Sequence, residues 1–229
     1  MNIKIFQAIE GAKKATGLTV IIDVFRAFSV EAYCFAKGAE KIIPVGDSDI
    51  AYRLKEENPD MILAGERYGK ILPGFDIGNS PSQLLDLDTK GKTIIHTTSA
   101  GTQGIANAKN ASEILGGCLL NAKTTAKYIK ESGAKDISLV CMGYAGEYPT
   151  DEDTLCARYI KSLLEGTTID LKLEIEKLKT TDGAKFFDKS QNDVFPEKDF
   201  FMCTEVDKFD FIMRLNRYHN LEYMEKVLL

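Results

Sequence analysis

Short apolar runs alternate with helix-patterned segments along most of this chain, and that alternation restricts the fold more than any other feature. Residues 18–23 (LTVIID) form an apolar run ending in a carboxylate, the pattern of a strand buried on both faces. Residues 28–37 then read as a helix stopped by Gly38. Further strands are expected at 41–45, 61–64, 93–96, 113–115 and 137–142. Helices are expected at 48–57, from the 97–102 loop to about 110, and at 121–132, 150–164 and 171–179. Thr150 can cap its helix, with Asp153 three residues on. The tail from Asp210 also reads as helix, and 182–199 is polar and poorly patterned. Alternation of this kind predicts a three-layer α/β/α fold with a mostly parallel or mixed sheet.

The chain has 229 residues, 44% of them hydrophobic, enough for one unit spanning 1–229 or for two α/β lobes dividing near residue 120. A net charge of -5 argues against a nucleic-acid partner, which needs a basic face. No apolar run approaches the roughly 20 residues that span a bilayer, so no membrane partner is expected. The start shows no signal-peptide pattern. Five widely spaced cysteines without a CxxC suit a reducing cytoplasm. A homodimer is compatible with all of this.

In sheets of this class ligands bind beyond the carboxyl ends of the strands, so strand ends carry the candidates. Asp23, with Arg26 three residues on, can hold a cation and an anion together; an ordinary salt bridge or cap explains the pair equally well. The loop Thr97-Thr98-Ser99-Ala100-Gly101-Thr102 puts four hydroxyls and a glycine before a helix, which suits phosphate. Glu152 and Asp153 open a helix after the strand at 137–142. Their default role is to complement the helix dipole, and in a shared cleft one of them can act as general base.

Residues 65–81 read as one long ordered loop, with Ile71, Phe75 and Ile77 as anchors. It supplies Glu66, Arg67, Asp76, Asn79 and Ser80. Asp23 with the loop acids Glu66 and Asp76 is the candidate ligand set for Mg²⁺, an oxygen-seeking cation. Several chemistries drop out. Cysteine phosphatases need an arginine six positions after the cysteine, and those positions hold Glu40, Thr124, Glu147, Ser162 and Phe209. No HExxH or GxSxG occurs. Each cysteine is therefore expected to be a small buried hydrophobe.

Taken together, Val20-Ile21-Ile22-Asp23-Val24-Phe25-Arg26-Ala27, Ala64-Gly65-Glu66-Arg67 and Pro73-Gly74-Phe75-Asp76-Ile77-Gly78-Asn79-Ser80-Pro81 resemble one family, 2-phosphosulfolactate phosphatase. Glu152-Asp153-Thr154-Leu155-Cys156-Ala157 and Phe201-Met202-Cys203-Thr204-Glu205-Val206-Asp207 extend the resemblance over nearly the whole chain. The 97–104 loop departs from the family's common TTNGTRA: Ser99-Ala100 replace the asparagine and the arginine is absent. The resemblance implies Mg²⁺-dependent release of phosphate from 2-phospho-3-sulfolactate, a step on a route to coenzyme M in methanogens. The substrate is then a small phosphorylated acid. Arg26 and Arg67 are expected on its phosphate and sulfonate, and Asn79, Ser80, Thr97, Thr98, Ser99, Gly101 and Thr102 around the phosphoryl oxygens. Asp23, Glu152 and Asp153 are the expected catalytic acids. Water is the preferred nucleophile, with an aspartyl-phosphate on Asp23 as the alternative. A non-catalytic sensor built on the same anion site is the rival class.

Overall fold

A computed structural model describes residues 1–219 and 221–229. The chain opens with β1 (Asn2–Gln7), α1 (Ala8–Lys14), β2 (Gly17–Ile22) and α2 (Ala27–Ala36). It continues through β3 (Lys41–Pro44), α3 (Ser48–Glu57), β4 (Ile62–Arg67), β5 (Lys70–Ile71), β6 (Thr93–Thr97) and α4 (Gly101–Asn107). Then come β7 (Ala111–Gly117), α5 (Ala122–Ser132), β8 (Asp136–Cys141), α6 (Asp151–Glu165), α7 (Leu171–Leu178) and α8 (Glu197–Cys203). The chain closes with β9 (Phe211–Tyr218) and β10 (Leu221–Leu228).

These strands form one mixed sheet in the order β1-β8-β2-β7-β9-β10-β3-β6-β4-β5. Parallel pairing joins β1, β8, β2 and β7 in one half, and β3, β6 and β4 in the other. Residues 18–22 are all buried, so helices cover both faces of β2, as the apolar run predicts for an α/β/α fold. A division near residue 120 does not follow the sheet, because β8 lies between β1 and β2.

The tail from Asp210 is not helical. It forms the antiparallel β9–β10 hairpin, which joins the two parallel halves by pairing with β7 and β3. Its Leu, Met, Glu and Lys content is neutral to helix-favouring, so the conformation comes from the sheet edges it fills and not from local propensity. The cross-strand pair Arg214–Glu225, at 2.8 Å, ties its two strands.

Two other segments differ from their sequence patterns. The 65–81 stretch begins as strand, turns back as the short β5, and is irregular only afterwards. Phe75 and Ile77 anchor it, whereas Ile71 is exposed. Residues 182–199 are ordered through short 3₁₀ turns at Ala184–Phe187 and Lys189–Gln191. Phe186 is their anchor; it packs with Leu155, Leu178 and Phe200 into a small separate core.

The two halves of the sheet meet through α4. It leaves β6 in one half and packs on β2 in the other. A Cβ at Gly104 would lie 2.5 Å from both Ile21 Cγ2 and Met142 Sδ. A Cβ at Gly101 would lie 2.7 Å from Ala27 Cβ and 3.0 Å from Asp23 Oδ2. The carboxyl ends of β2, β4, β6 and β8 are thereby drawn to one place.

Candidate active site

A chamber of about 50 Å³ lies at this convergence, lined by Asp23 and Arg26 after β2, Glu66 at the end of β4, Ser99 after β6, and Glu152 at the start of α6. It shares Tyr68, Tyr144, Thr150, Lys185 and Phe195 with an outer cleft of about 650 Å³. The inner space is small and polar-walled, and the outer one opens to solvent beside the exposed rings of Tyr68 and Tyr144.

Asp23 is buried at the end of β2, and its Oδ1 accepts the Ala27 amide at 3.0 Å. Burial raises its carboxyl to about 6, the charge of Glu66 adds to this, and the Ala27 amide and His96 oppose it. His96 is itself buried, with Nδ1 2.9 Å from Glu31 Oε1. Glu152 is raised to about 7, again by burial first, with Lys185 pulling it down. Acids poised near neutrality are the groups suited to proton transfer.

Asp153, next in the helix, does not line the chamber. Its Oδ1 accepts the Val24 amide and its Oδ2 the Gly143 amide, each at 2.8 Å. It ties the ends of β2 and β8 together beside Asp23. Burial and the carboxylates of Glu152 and Asp23 push its carboxyl well up.

Glu66 is a clamp at the rim. Oε1 accepts the Ser99 amide at 2.6 Å; Oε2 accepts the Gly69 amide at 2.6 Å and the Ser99 hydroxyl at 3.1 Å. Arg26 is 3% exposed, and its Nη1 donates to Asp199 at 2.7 Å and to the Val194 carbonyl at 2.8 Å. This is the salt bridge that the sequence pattern left open, but its partner is Asp199 and not Asp23. Among the described residues Nε and Nη2, which share one edge of the guanidinium, make no hydrogen bond, and Arg26 lines the chamber.

Several expected residues lie elsewhere. Asp76 is not a ligand at this chamber: it sits between the inward Phe75 and Ile77, so its side chain turns outward to the Leu63 amide at 2.8 Å and to Lys55 at 3.3 Å. Arg67 is committed to the carbonyls of Glu66 and Gly46 and to the Thr97 hydroxyl, at 2.7, 3.2 and 2.9 Å. That contact also occupies Thr97. Thr98 and Thr102 satisfy one another, each hydroxyl accepting the other's amide at 3.2 and 2.9 Å, so they shape the turn into α4. Gly101 is there because a side chain would displace Asp23. Ser80 lines a neighbouring pocket with Arg26 and Asn79, and Asn79 reaches the chamber as well.

Lys185, Thr150 and Phe195 line the chamber and are missing from the sequence-based set. Phe186, Phe187 and Phe195 within an otherwise polar stretch were the available signal that residues 182–199 are packed. Thr150 holds the N-cap position of α6 but makes no capping hydrogen bond. All five cysteines are buried, and burial pushes their thiols up, Cys118 to about 12, which removes the thiolate a nucleophile requires.

Three buried oxygens on chamber residues have no hydrogen-bond partner among the described residues: Asn79 Oδ1, Thr150 Oγ1 and Glu152 Oε2. Buried oxygens of this kind need water, an ion or a ligand beside them. Among the described residues no three His, Cys, Asp or Glu side chains cluster as a complete ligand set. Mg²⁺ does not need one: it takes one or two carboxylates and completes its shell with water and phosphate oxygens. Asp23 and Glu152, with neutral oxygens nearby, fit it.

Near-neutral buried acids opposite a guanidinium, at the strand ends of an α/β sheet, mark an enzyme that works on a small anion. The comparisons with known sequences are specific. A model of the 2-phosphosulpholactate phosphatase family matches residues 3–218. A probable 2-phosphosulfolactate phosphatase of Bacillus subtilis is 35% identical over 233 residues, covering 100% of both chains. One from Caldanaerobacter subterraneus subsp. tengcongensis is 34% identical over 210 residues, 86% of each chain, and one from Thermoplasma volcanium 29% over 197 residues, 85% of this chain and 87% of its own. The chain belongs to the 2-phosphosulfolactate phosphatase family, a family of phosphoric monoester hydrolases. Among the described residues no helix is long and apolar enough to cross a membrane.

Proposed function

We propose that the protein hydrolyses 2-phospho-3-sulfolactate to 3-sulfolactate and phosphate with Mg²⁺ at the inner chamber. One observation carries the reading: Asp23, Glu152 and Arg26 line the same small chamber, where Glu152 Oε2, Asn79 Oδ1 and Thr150 Oγ1 are buried without a hydrogen-bond partner among the described residues. The phosphoryl oxygens sit against Arg26, whose planar fork matches them and whose pairing with Asp199 holds it still. Glu152, whose carboxyl is raised to about 7 mainly by burial, accepts the proton of the attacking water. The phosphorus–ester oxygen bond breaks, and the product hydroxyl regains a proton from solvent through the outer cleft. Asp23 and Glu152 would hold the Mg²⁺, which offsets charge on the phosphoryl group when bound.

Phosphate release from the purified protein, tested on 2-phospho-3-sulfolactate with Mg²⁺ and after exhaustive chelation, decides the matter. The expected result is turnover that vanishes with the chelator and returns with Mg²⁺. Glu152→Gln, which keeps the shape, should lower kcat by about 10²-fold or more, the usual scale for a lost general base. Undiminished rates in chelator remove the metal from the proposal. No release from this substrate removes the reaction.

A further inference from the structure

Two cations share one aromatic wall at different depths. Arg26 lies 5.0 Å from the Phe195 ring centroid and 5.8 Å from that of Phe186. Lys185 Nζ lies 5.4 Å from Phe195, 5.6 Å from Phe186 and 5.9 Å from Phe25. The inner cation is neutralised by Asp199. The outer, half-buried one has no carboxylate within 4.0 Å among the described residues. Ring faces attract an ammonium but do not neutralise it.

Position distinguishes Lys185 from the other basic residues here. It lines both the inner chamber and the outer cleft, whereas Lys70 lines the outer cleft and the neighbouring Ser80 pocket but not the chamber, and Arg67 lines neither chamber nor cleft. A substrate whose phosphoryl group occupies the chamber and whose remainder extends into the outer cleft passes Lys185. Resting on the reaction proposed above, we propose that Lys185 receives the sulfonate and so makes the enzyme selective for a sulfonated acid over the same phosphorylated acid without that group. The sulfonate supplies a counter-charge in direct contact, which Glu152, acting on Lys185 only from beyond 4.0 Å, does not, and the three rings exclude water around the pair.

The aromatic wall also sets the spacing. Lys185 rides on the 3₁₀ turn Ala184–Phe187, whose Phe186 is fixed in the core with Leu155, Leu178 and Phe200. The ammonium is therefore held relative to Arg26 by a packed element, although its own stem is flexible. Two cations seated on the same packed rings can take two acid groups of one ligand.

The test compares kcat/KM for 2-phospho-3-sulfolactate and 2-phospholactate in the wild type, Lys185→Gln, Lys185→Arg and Lys70→Gln. The wild type should favour the sulfonated substrate. In Lys185→Gln that preference should shrink by about tenfold or more, the scale of one lost charge contact, and Lys185→Arg should restore most of it. Inhibition of each protein by 3-sulfolactate against lactate reads the same contact without turnover. Equal losses on both substrates in Lys185→Gln overturn this inference and leave the phosphatase reading intact. A wild type with no preference, or a loss seen in Lys70→Gln instead, does the same. A wild type inactive on both substrates overturns both proposals.

Discussion

Asp153 Oδ1 accepts the amide of Val24 at 2.8 Å, across 129 residues of sequence. The bond lands on the residue after Asp23, while the other oxygen of the same carboxylate takes the Gly143 amide. One side chain thus sets the distance between the ends of β2 and β8. Asp153→Asn keeps the volume but has only one acceptor oxygen, leaving one buried amide facing an NH₂ group. It should cost about 1–3 kcal/mol of stability and lower kcat through a displaced Asp23. Denaturant unfolding beside turnover checks this; an unchanged midpoint with unchanged kcat sinks the positioning role.

The metal-free protein should lose stability as pH rises. Folding lifts Asp23 from 3.8 to about 6 and Glu152 from 4.5 to about 7, both mainly by burial. Over that window the folded state binds protons that the unfolded chain has released, so the slope of unfolding free energy with pH is negative. The contribution is fully present below the unfolded values and is gone above the folded ones. For Asp23 it is on the order of 2–3 kcal/mol. Thermal midpoints in chelator should be higher near about pH 5 than near about pH 8. Asp23→Asn should flatten the difference, and an identical slope in that variant would count against the assignment.

Gly101→Ala tests the contact between α4 and the site. The added methyl would meet Ala27 Cβ at 2.7 Å and Asp23 Oδ2 at 3.0 Å. Something must move, at a cost of about 1–3 kcal/mol, and the movable partner is the Asp23 carboxylate. Turnover should fall further than the melting shift accounts for. Normal kcat in folded variant protein would show that Asp23 tolerates displacement.

Arg67 and Arg26 should separate cleanly. Arg67 spends its donors on Glu66, Gly46 and Thr97, so Arg67→Gln should lower stability by about 1–2 kcal/mol and leave KM within about twofold. Arg26→Lys keeps the charge and loses the fork, so it should raise KM as well as weaken the Asp199 pair. A tenfold rise of KM in Arg67→Gln, beyond about 1 kcal/mol, would return that arginine to the substrate.

Much of the molecule was legible in the chain. Leu18 to Ile22 declares a strand covered on both faces, because only a sheet interior tolerates so long an apolar run at strand spacing. Asp23 was readable as a candidate from its strand-end position; Glu66 was readable only as an acid of a long polar loop, and Glu152 as a helix-opening acid whose default partner is the helix dipole. Local pattern carries that information, since burial period and breakers act over a few residues. It does not carry partners. Asp76 and Glu66 are the same kind of residue in the same stretch, yet Phe75 and Ile77 turn Asp76 away while Glu66 faces in. Arg26 and Arg67 look alike until Asp199, Val194 and Gly46 arrive from distant parts of the chain.

Residues 210–229 make the same point for the fold. Their helix-tolerant composition becomes a hairpin because β7 and β3 present unpaired edges, and backbone groups buried there must be bonded. Lys185 was invisible for a related reason: its segment has no period, and only the packing of Phe186 and Phe195 brings it to the chamber. The sequence by itself determined which strands are buried and which of their ends carry acids. The tertiary structure decided which charges meet, because a charge is satisfied by whatever lies within a few ångströms, and that neighbour is set by the whole packed chain.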